Sequence, residues 1–132
     1  MTNERPICIV TGGSLGIGLS VCNVFSAQGY MVINLDIRDF ENAPDNTHWH
    51  HCDVSNVENV KRTIEEVVAQ YKRIDALVCN AGMHVSATIE DTDEALLDKV
   101  FSLNVKGAYA SIKAVLPWMK QQQAGAIVVM GS

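Results

Sequence analysis

Short β-branched runs alternate with longer stretches of helical periodicity along the whole chain, and that alternation leaves few folds open. Ile7 to Val10 is the first run, and it feeds the turn Thr11-Gly12-Gly13. From Gly16 to about Gln28, the residues Ile17, Val21, Val24 and Phe25 recur at helical spacing until Gly29 stops them. Met31 to Leu35 is the second strand, followed by Asp36, and His48 to His51 a short third. Ser55 with Glu58 is a capping-box pattern, opening a helix through Val57, Val60, Ile64, Val67 and Val68. Ala76 to Cys79 reads as the fourth strand. Asp91 with Glu94 starts a long helix through Leu96, Val100, Leu103, Ile112 and Val115, and Ala126 to Met130 is the fifth strand. Apolar strands alternating with helices predict a doubly wound α/β domain over residues 1–132, a parallel sheet covered on both faces. Such sheets bind ligands beyond the carboxyl ends of their strands, which directs attention to Gly12, Asp36, Asp53, Asn80 and Ser132.

Composition removes several functions. The net charge is −5 and no basic cluster occurs, so neither nucleic acid nor an anionic membrane surface is an expected partner. No apolar stretch is long enough to cross a bilayer, and Met1 to Pro6 lacks the form of a secretory signal, so a cytoplasmic location is expected. Cys8, Cys22, Cys52 and Cys79 show no C-x-x-C spacing and are expected as small buried hydrophobes. His48, His50, His51, Cys52 and His84 invite a metal reading. Alternating strand residues point to opposite faces and no second Cys stands at ligand spacing, so no metal is expected.

The glycines after the first strand carry the chemistry. In Gly12-Gly13-Ser14-Leu15-Gly16-Ile17-Gly18 they let backbone N–H groups approach a phosphate, and the helix starting there points its positive end at the same place. The spacing is G-x-x-x-G-x-G rather than the G-x-G-x-x-G of the usual dinucleotide fingerprint. Gly12, Ser14, Leu15, Gly16, Ile17 and Gly18 are therefore candidate cofactor contacts. Asp36 follows Gly18 by 18 positions, near where an acid accepts hydrogen bonds from a ribose 2′-OH. A 2′-phosphate would set close to two negative charges against it, so NAD is expected over NADP. Arg38 is the counter-argument, because it can reach a phosphate. The alternative for Asp36 is a solvated loop acid.

A glycine turn of this form, preceded by Thr11, resembles that of the short-chain dehydrogenase/reductase family. Other motifs agree, in the right order and across the chain. Asp53-Val54 looks like the family's adenine-contacting Asp and its neighbour, and Asn80-Ala81-Gly82 like its N-A-G motif. Asn104-Val105-Lys106-Gly107 resembles the N-V-x-G segment with a catalytic Asn. Val129-Met130-Gly131-Ser132 resembles the strand end that bears the catalytic Ser. The resemblance implies a Rossmann fold, cut after its fifth strand, in an oxidoreductase that moves hydride between NAD(H) and an alcohol or ketone. It makes Asn104 and Ser132 the catalytic residues here, and Leu15 stands where NADP-using relatives often carry Arg or Lys. The family's Tyr, and a Lys four residues later, are expected beyond Ser132. No Lys is expected four residues after Tyr30, Tyr71 or Tyr109, so none of them is expected in that role and these 132 residues alone are expected to be inactive.

Plainer readings stand beside these. Asp53 can be only a charge before a helix, Asn80 can be structural, and Asn104 can be a polar residue facing solvent. A homodimer or homotetramer is expected through the helix near 92–122, where Tyr109, Trp118 and Met119 widen the apolar surface. Those side chains can instead simply cover the sheet. Two rival functions fit parts of the pattern. An S-adenosylmethionine methyltransferase also pairs a glycine loop with an acid, but has no reason to carry N-A-G and N-V-x-G. A non-catalytic nucleotide sensor on the same fold would not need Asn104 and Ser132.

Overall fold

Residues 5–131 are described by the computed structural model. Its strands are β1 (Ile7–Thr11), β2 (Met31–Asp36), β3 (Thr47–His51), β4 (Ala76–Cys79) and β5 (Ala126–Val129). All pair in parallel, in the order β3-β2-β1-β4-β5. The helices are α1 (Gly16–Ala27), α2 (Val57–Tyr71), α3 (Glu94–Phe101) and α4 (Gly107–Gln122), with a π-helical turn, Ser102–Lys106, joining the last two.

The alternation of side chains along each strand sorts the core into two layers. Ile7, Ile9, Ile33, Leu35, Leu77 and Cys79 face α2 and α4, where Val60, Ile64, Val67, Val115 and Met119 close over them. Cys8, Val10, Val32, Ala76 and Val78 face the other way, toward Cys22 of α1. All four cysteines are buried and free, as their apolar surroundings in the sequence suggest. The two edges differ. β3 carries Thr, His and Trp, and is partly wet; β5 is apolar, yet Val128 and Val129 are exposed.

The helix starts differ in detail from the sequence reading. α2 is capped by Asn56, whose side chain accepts the Asn59 N–H, while the Ser55 hydroxyl donates to Asp53. α3 is capped by Asp93 rather than Asp91, through the Leu96 N–H. Asn and Asp both serve as caps, and the chain direction decides which of several neighbours reaches the free N–H groups. The long helix is not continuous: at the π turn the Gly107 N–H bonds to the Ser102 carbonyl. Of the residues expected to widen its outer surface, Met119 is buried and Trp118 packs against the core. Tyr109 alone of the three is exposed. Among the described residues no helix is long and apolar enough to cross a membrane.

The chain runs outward from β1 to β2 and β3, then returns to the other side of β1 for β4 and β5. The loops leaving β1 and β4 therefore diverge, and a crevice opens at the carboxyl ends of the strands between them.

Candidate functional site

A cleft of about 460 Å³ occupies that crevice. Of the residues singled out in the sequence, Gly12, Leu15, Asp36, Asp53, Val54, Asn80, Ala81 and Gly82 line it. Residues far apart in the chain are thus gathered by the ends of β1, β2, β3 and β4.

The glycine turn is shaped by close approach. Gly12 has φ +68° and Gly16 has φ +60°, a region that costs side-chain-bearing residues strain. A Cβ on Gly18 would stand 2.1 Å from the Gly12 carbonyl oxygen and 2.5 Å from Asn80 Nδ2, so only glycine fits. At Gly16 such a Cβ meets nothing within 4 Å beyond its chain neighbours and its own helix backbone, and the space above it is open. The start of α1 is unlike those of α2 and α3. Leu15 occupies its cap position without a side-chain hydrogen bond, and its first turn holds no acidic residue. The first N–H groups of a helix lack intrahelical partners, so here they and the helix dipole are left facing open space. Leu15 and Ile17 are both exposed beside them.

Asp36 is oriented by two backbone donors. Its Oδ2 accepts the Ser14 N–H at 3.1 Å, and its Oδ1 accepts the Arg38 N–H at 3.2 Å. It is therefore a half-buried carboxylate, held by backbone donors on the cleft wall. Ser14 itself is buried, and its hydroxyl donates to the Arg38 carbonyl. Asp53 closes its own turn, with Oδ1 accepting from the Ser55 N–H at 3.0 Å and the Ser55 hydroxyl at 2.6 Å.

Across the cleft, Asn80 Nδ2 donates to the Gly12 carbonyl at 2.9 Å, tying the β4 loop to the glycine turn. Thr11 Oγ1 accepts from both the Asn80 and Ala81 N–H groups at 3.0 Å. Asn104 lies in the π turn, a distortion that recurs at functional sites. Its side chain is exposed and bonded to the loop after β4: Oδ1 accepts the Met83 N–H at 2.8 Å and Nδ2 donates to the Met83 carbonyl at 2.9 Å. Ser132 lies outside the described residues.

One expectation fails outright. Tyr109 does have a lysine four residues later: Lys113 Nζ donates to its hydroxyl at 3.3 Å, as residues one helical turn apart can. The pair sits on an exposed face of α4 and neither residue lines the cleft.

Several lining residues escaped the sequence reading: Ile37, Cys52, Ser55, Lys99, Ser102 and Leu103. Lys99, Ser102 and Leu103 come from the helix after β4, and no local signal marks them. Asn34 is missed as well, although it is the polar residue inside the second apolar run, and Thr11 is read only as part of the turn. Burial pushes the Cys52 thiol up, and holds Cys22 beneath the turn up at about 12, so both stay protonated near neutral pH. Among the described residues no group of three or more His, Cys, Asp and Glu is placed to hold a metal ion.

Comparison with known proteins agrees with this geometry. The chain is 34% identical over 137 residues to sorbitol-6-phosphate 2-dehydrogenase of Klebsiella pneumoniae, covering 96% of this chain and 51% of that protein. It is 33% identical over 141 residues to a 3-oxoacyl-[acyl-carrier-protein] reductase of Thermotoga maritima, covering 100% of this chain and 57% of that one. The chain spans about half the length of the curated relatives it matches. Among solved structures, the ligand-free aldohexose dehydrogenase of Thermoplasma acidophilum superposes with a TM-score of 0.92 at 32% identity, over 97% of this chain and 49% of that one. ElxO with NADP bound superposes with a TM-score of 0.90 at 28% identity, over 98% and 56%. With residues 6–132 matching the family described as short chain dehydrogenase, from the first strand through the N-A-G and N-V-x-G segments, the chain belongs to that family.

Proposed function

We propose that this chain is the NAD(H)-binding part of an oxidoreductase that interconverts an alcohol and a ketone. The observation that carries the reading is one juxtaposition: Leu15, at the uncapped start of α1, and the held Asp36 carboxylate line one cleft at the point where the sheet reverses direction. The N–H groups of Gly16, Ile17 and Gly18 suit a pyrophosphate, and the open space over Gly16 fits one. Asp36 suits the two hydroxyls of an adenosine ribose. Asp53 and Val54 form the wall for the adenine, while Asn80, Ala81 and Gly82 form the opposite wall. The nicotinamide, when bound, gives or takes the hydride. Asn104 braces the loop that begins at Gly82, and by family resemblance its main chain and the Ser132 hydroxyl serve the substrate end.

A 2′-phosphate meets Asp36 at the cost of like charge, which is why NAD is preferred. The second reading, NADP, is favoured by the exposed Arg38 next to Asp36 and by the likeness to NADP-bound ElxO. Fluorescence titration of the full-length protein with NADH and NADPH separates the two. NADH is expected to bind more tightly, and Asp36→Ala to narrow the gap about tenfold, the effect of one charged hydrogen bond. A wild-type preference for NADPH would reject the NAD assignment. For assembly, Phe101, Val105 and Tyr109 are exposed along the joined helices and suit a two-fold contact with a second copy. Light scattering that finds a monomer would end that part of the proposal.

A further inference from the structure

Asn34 is the one polar residue within the apolar run of β2, and it is 0% exposed. It lies in the middle of the sheet, opposite Val10 of β1 and Trp49 of β3. A polar amide there is costly unless it is hydrogen-bonded, and Asn is a poor strand former. Its bonds are both to the glycine turn: Oδ1 accepts the Gly13 N–H at 2.7 Å, and Nδ2 donates to Ser14 Oγ at 2.8 Å. The fit is mutual, since a Cβ on Gly13 would stand 2.7 Å from Asn34 Oδ1.

These bonds have a fixed direction. A backbone N–H can only donate, so the amide oxygen must face Gly13 and the amide nitrogen must face Ser14. The Ser14 oxygen accepts that bond, which leaves its own proton for the Arg38 carbonyl. The Ser14 N–H and the Arg38 N–H in turn hold the two oxygens of Asp36. From the β3 side, Trp49 Nε1 donates to the Asp36 main-chain carbonyl at 2.9 Å. The turn that suits a pyrophosphate and the carboxylate that suits a ribose are thus one hydrogen-bonded unit with a single buried root.

We propose that Asn34 is a positioning residue of the dinucleotide site, setting the glycine turn and the Asp36 carboxylate in register and so contributing to the choice between NAD and NADP. The inference rests on the functional reading above. It predicts more than a loss of stability. Partial unfolding lowers the affinity for both dinucleotides by the same factor, whereas a loosened Asp36 weakens the ligand with a free 2′-OH more than the one with a 2′-phosphate.

The test is fluorescence titration of the full-length protein with NADH and with NADPH, for wild type, Asn34→Ala, Ser14→Ala and the double variant, with thermal melts in parallel. Asn34→Ala is expected to weaken NADH about tenfold and NADPH about threefold, so the ratio narrows by about three. The double variant is expected to be no weaker than the poorer single, because both residues act through one relay. If Asn34→Ala does not fold, Ser14→Ala carries the same test of the ratio. A ratio unchanged from wild type in every variant that folds overturns the inference while leaving the functional reading intact. Wild-type protein that binds neither dinucleotide overturns both.

Discussion

The two rims of the cleft are built in different ways. On one side the glycine turn and the end of β2 are fastened from below by Ser14 and Asn34, both buried. On the other, the chain from Gly82 to Asp93 is almost entirely exposed; the paired bond between Asn104 and Met83 ties its start to the π turn, and Asp93 caps α3 at its end. The first rim is preorganised, so a ligand placed there need not order it. The second has few buried contacts, the condition for a segment that opens at low cost. That division suits a site in which one ligand is common to a family and the other differs from member to member.

Four measurements would break or sharpen this contrast. The largest effect is expected on the rigid rim at Gly18, where an added Cβ would stand 2.1 Å from the Gly12 carbonyl oxygen. Gly18→Ala should lower stability by about 3 kcal/mol in a denaturant titration and abolish dinucleotide binding together with it. Gly16→Val separates the two properties. Beyond its chain neighbours and its own helix backbone the new Cβ meets nothing within 4 Å, so the sheet signal in circular dichroism should persist, at a cost of about 1–3 kcal/mol for a branched residue at φ +60°. NADH affinity should fall about 100-fold, because the branched group fills the space over α1. Unaltered affinity would mean that the turn is only a turn.

Asn104→Ala probes the looser rim. Losing both bonds to Met83 should cost about 1 kcal/mol and speed protease cleavage between residues 82 and 93, with NADH affinity changed less than about threefold. A larger loss of NADH would show that the rims are coupled. The smallest effect concerns the thiols under the rigid rim and in β4. Burial holds Cys22 up at about 12 and Cys79 at about 11, while an unfolded thiol ionises near 9.0. The folded state binds these protons more tightly, so their contribution to stability is complete below pH 9.0 and declines as pH rises from there toward 12. Both should resist a thiol reagent at pH 8 in the native protein. Rapid labelling of Cys22 would show that the glycine turn opens.

Much of the fold is local, and local signals find it. Strand and helix periodicity marks the element order, Gly29 stands just past the end of α1 with φ +91°, and the glycine turn is unmistakable once a β-branched run precedes it. The acid at the end of β2 follows from its distance along the chain. The errors are of two kinds. Asp91 and Ser55 were expected as caps, but Asp93 and Asn56 take those roles, because adjacent polar residues compete for the same N–H groups. Tyr109 and Lys113 satisfy a spacing that the family resemblance implies only beyond Ser132, yet they sit on an exposed stretch of α4 and do not line the cleft.

What the residues determine alone is therefore the alternation of strand and helix, the parallel sheet it implies, and the glycine turn that follows β1. All of these depend on conformational preference and periodicity over a few neighbours. Only the tertiary structure decided that Asn34 roots the turn through Ser14, that Asn104 holds Met83, and that Lys99, Ser102 and Leu103 join the cleft wall. Those contacts join residues about 20 to 90 positions apart. A hydrogen bond or a wall across such a gap exists only once packing of the sheet has brought its two ends together.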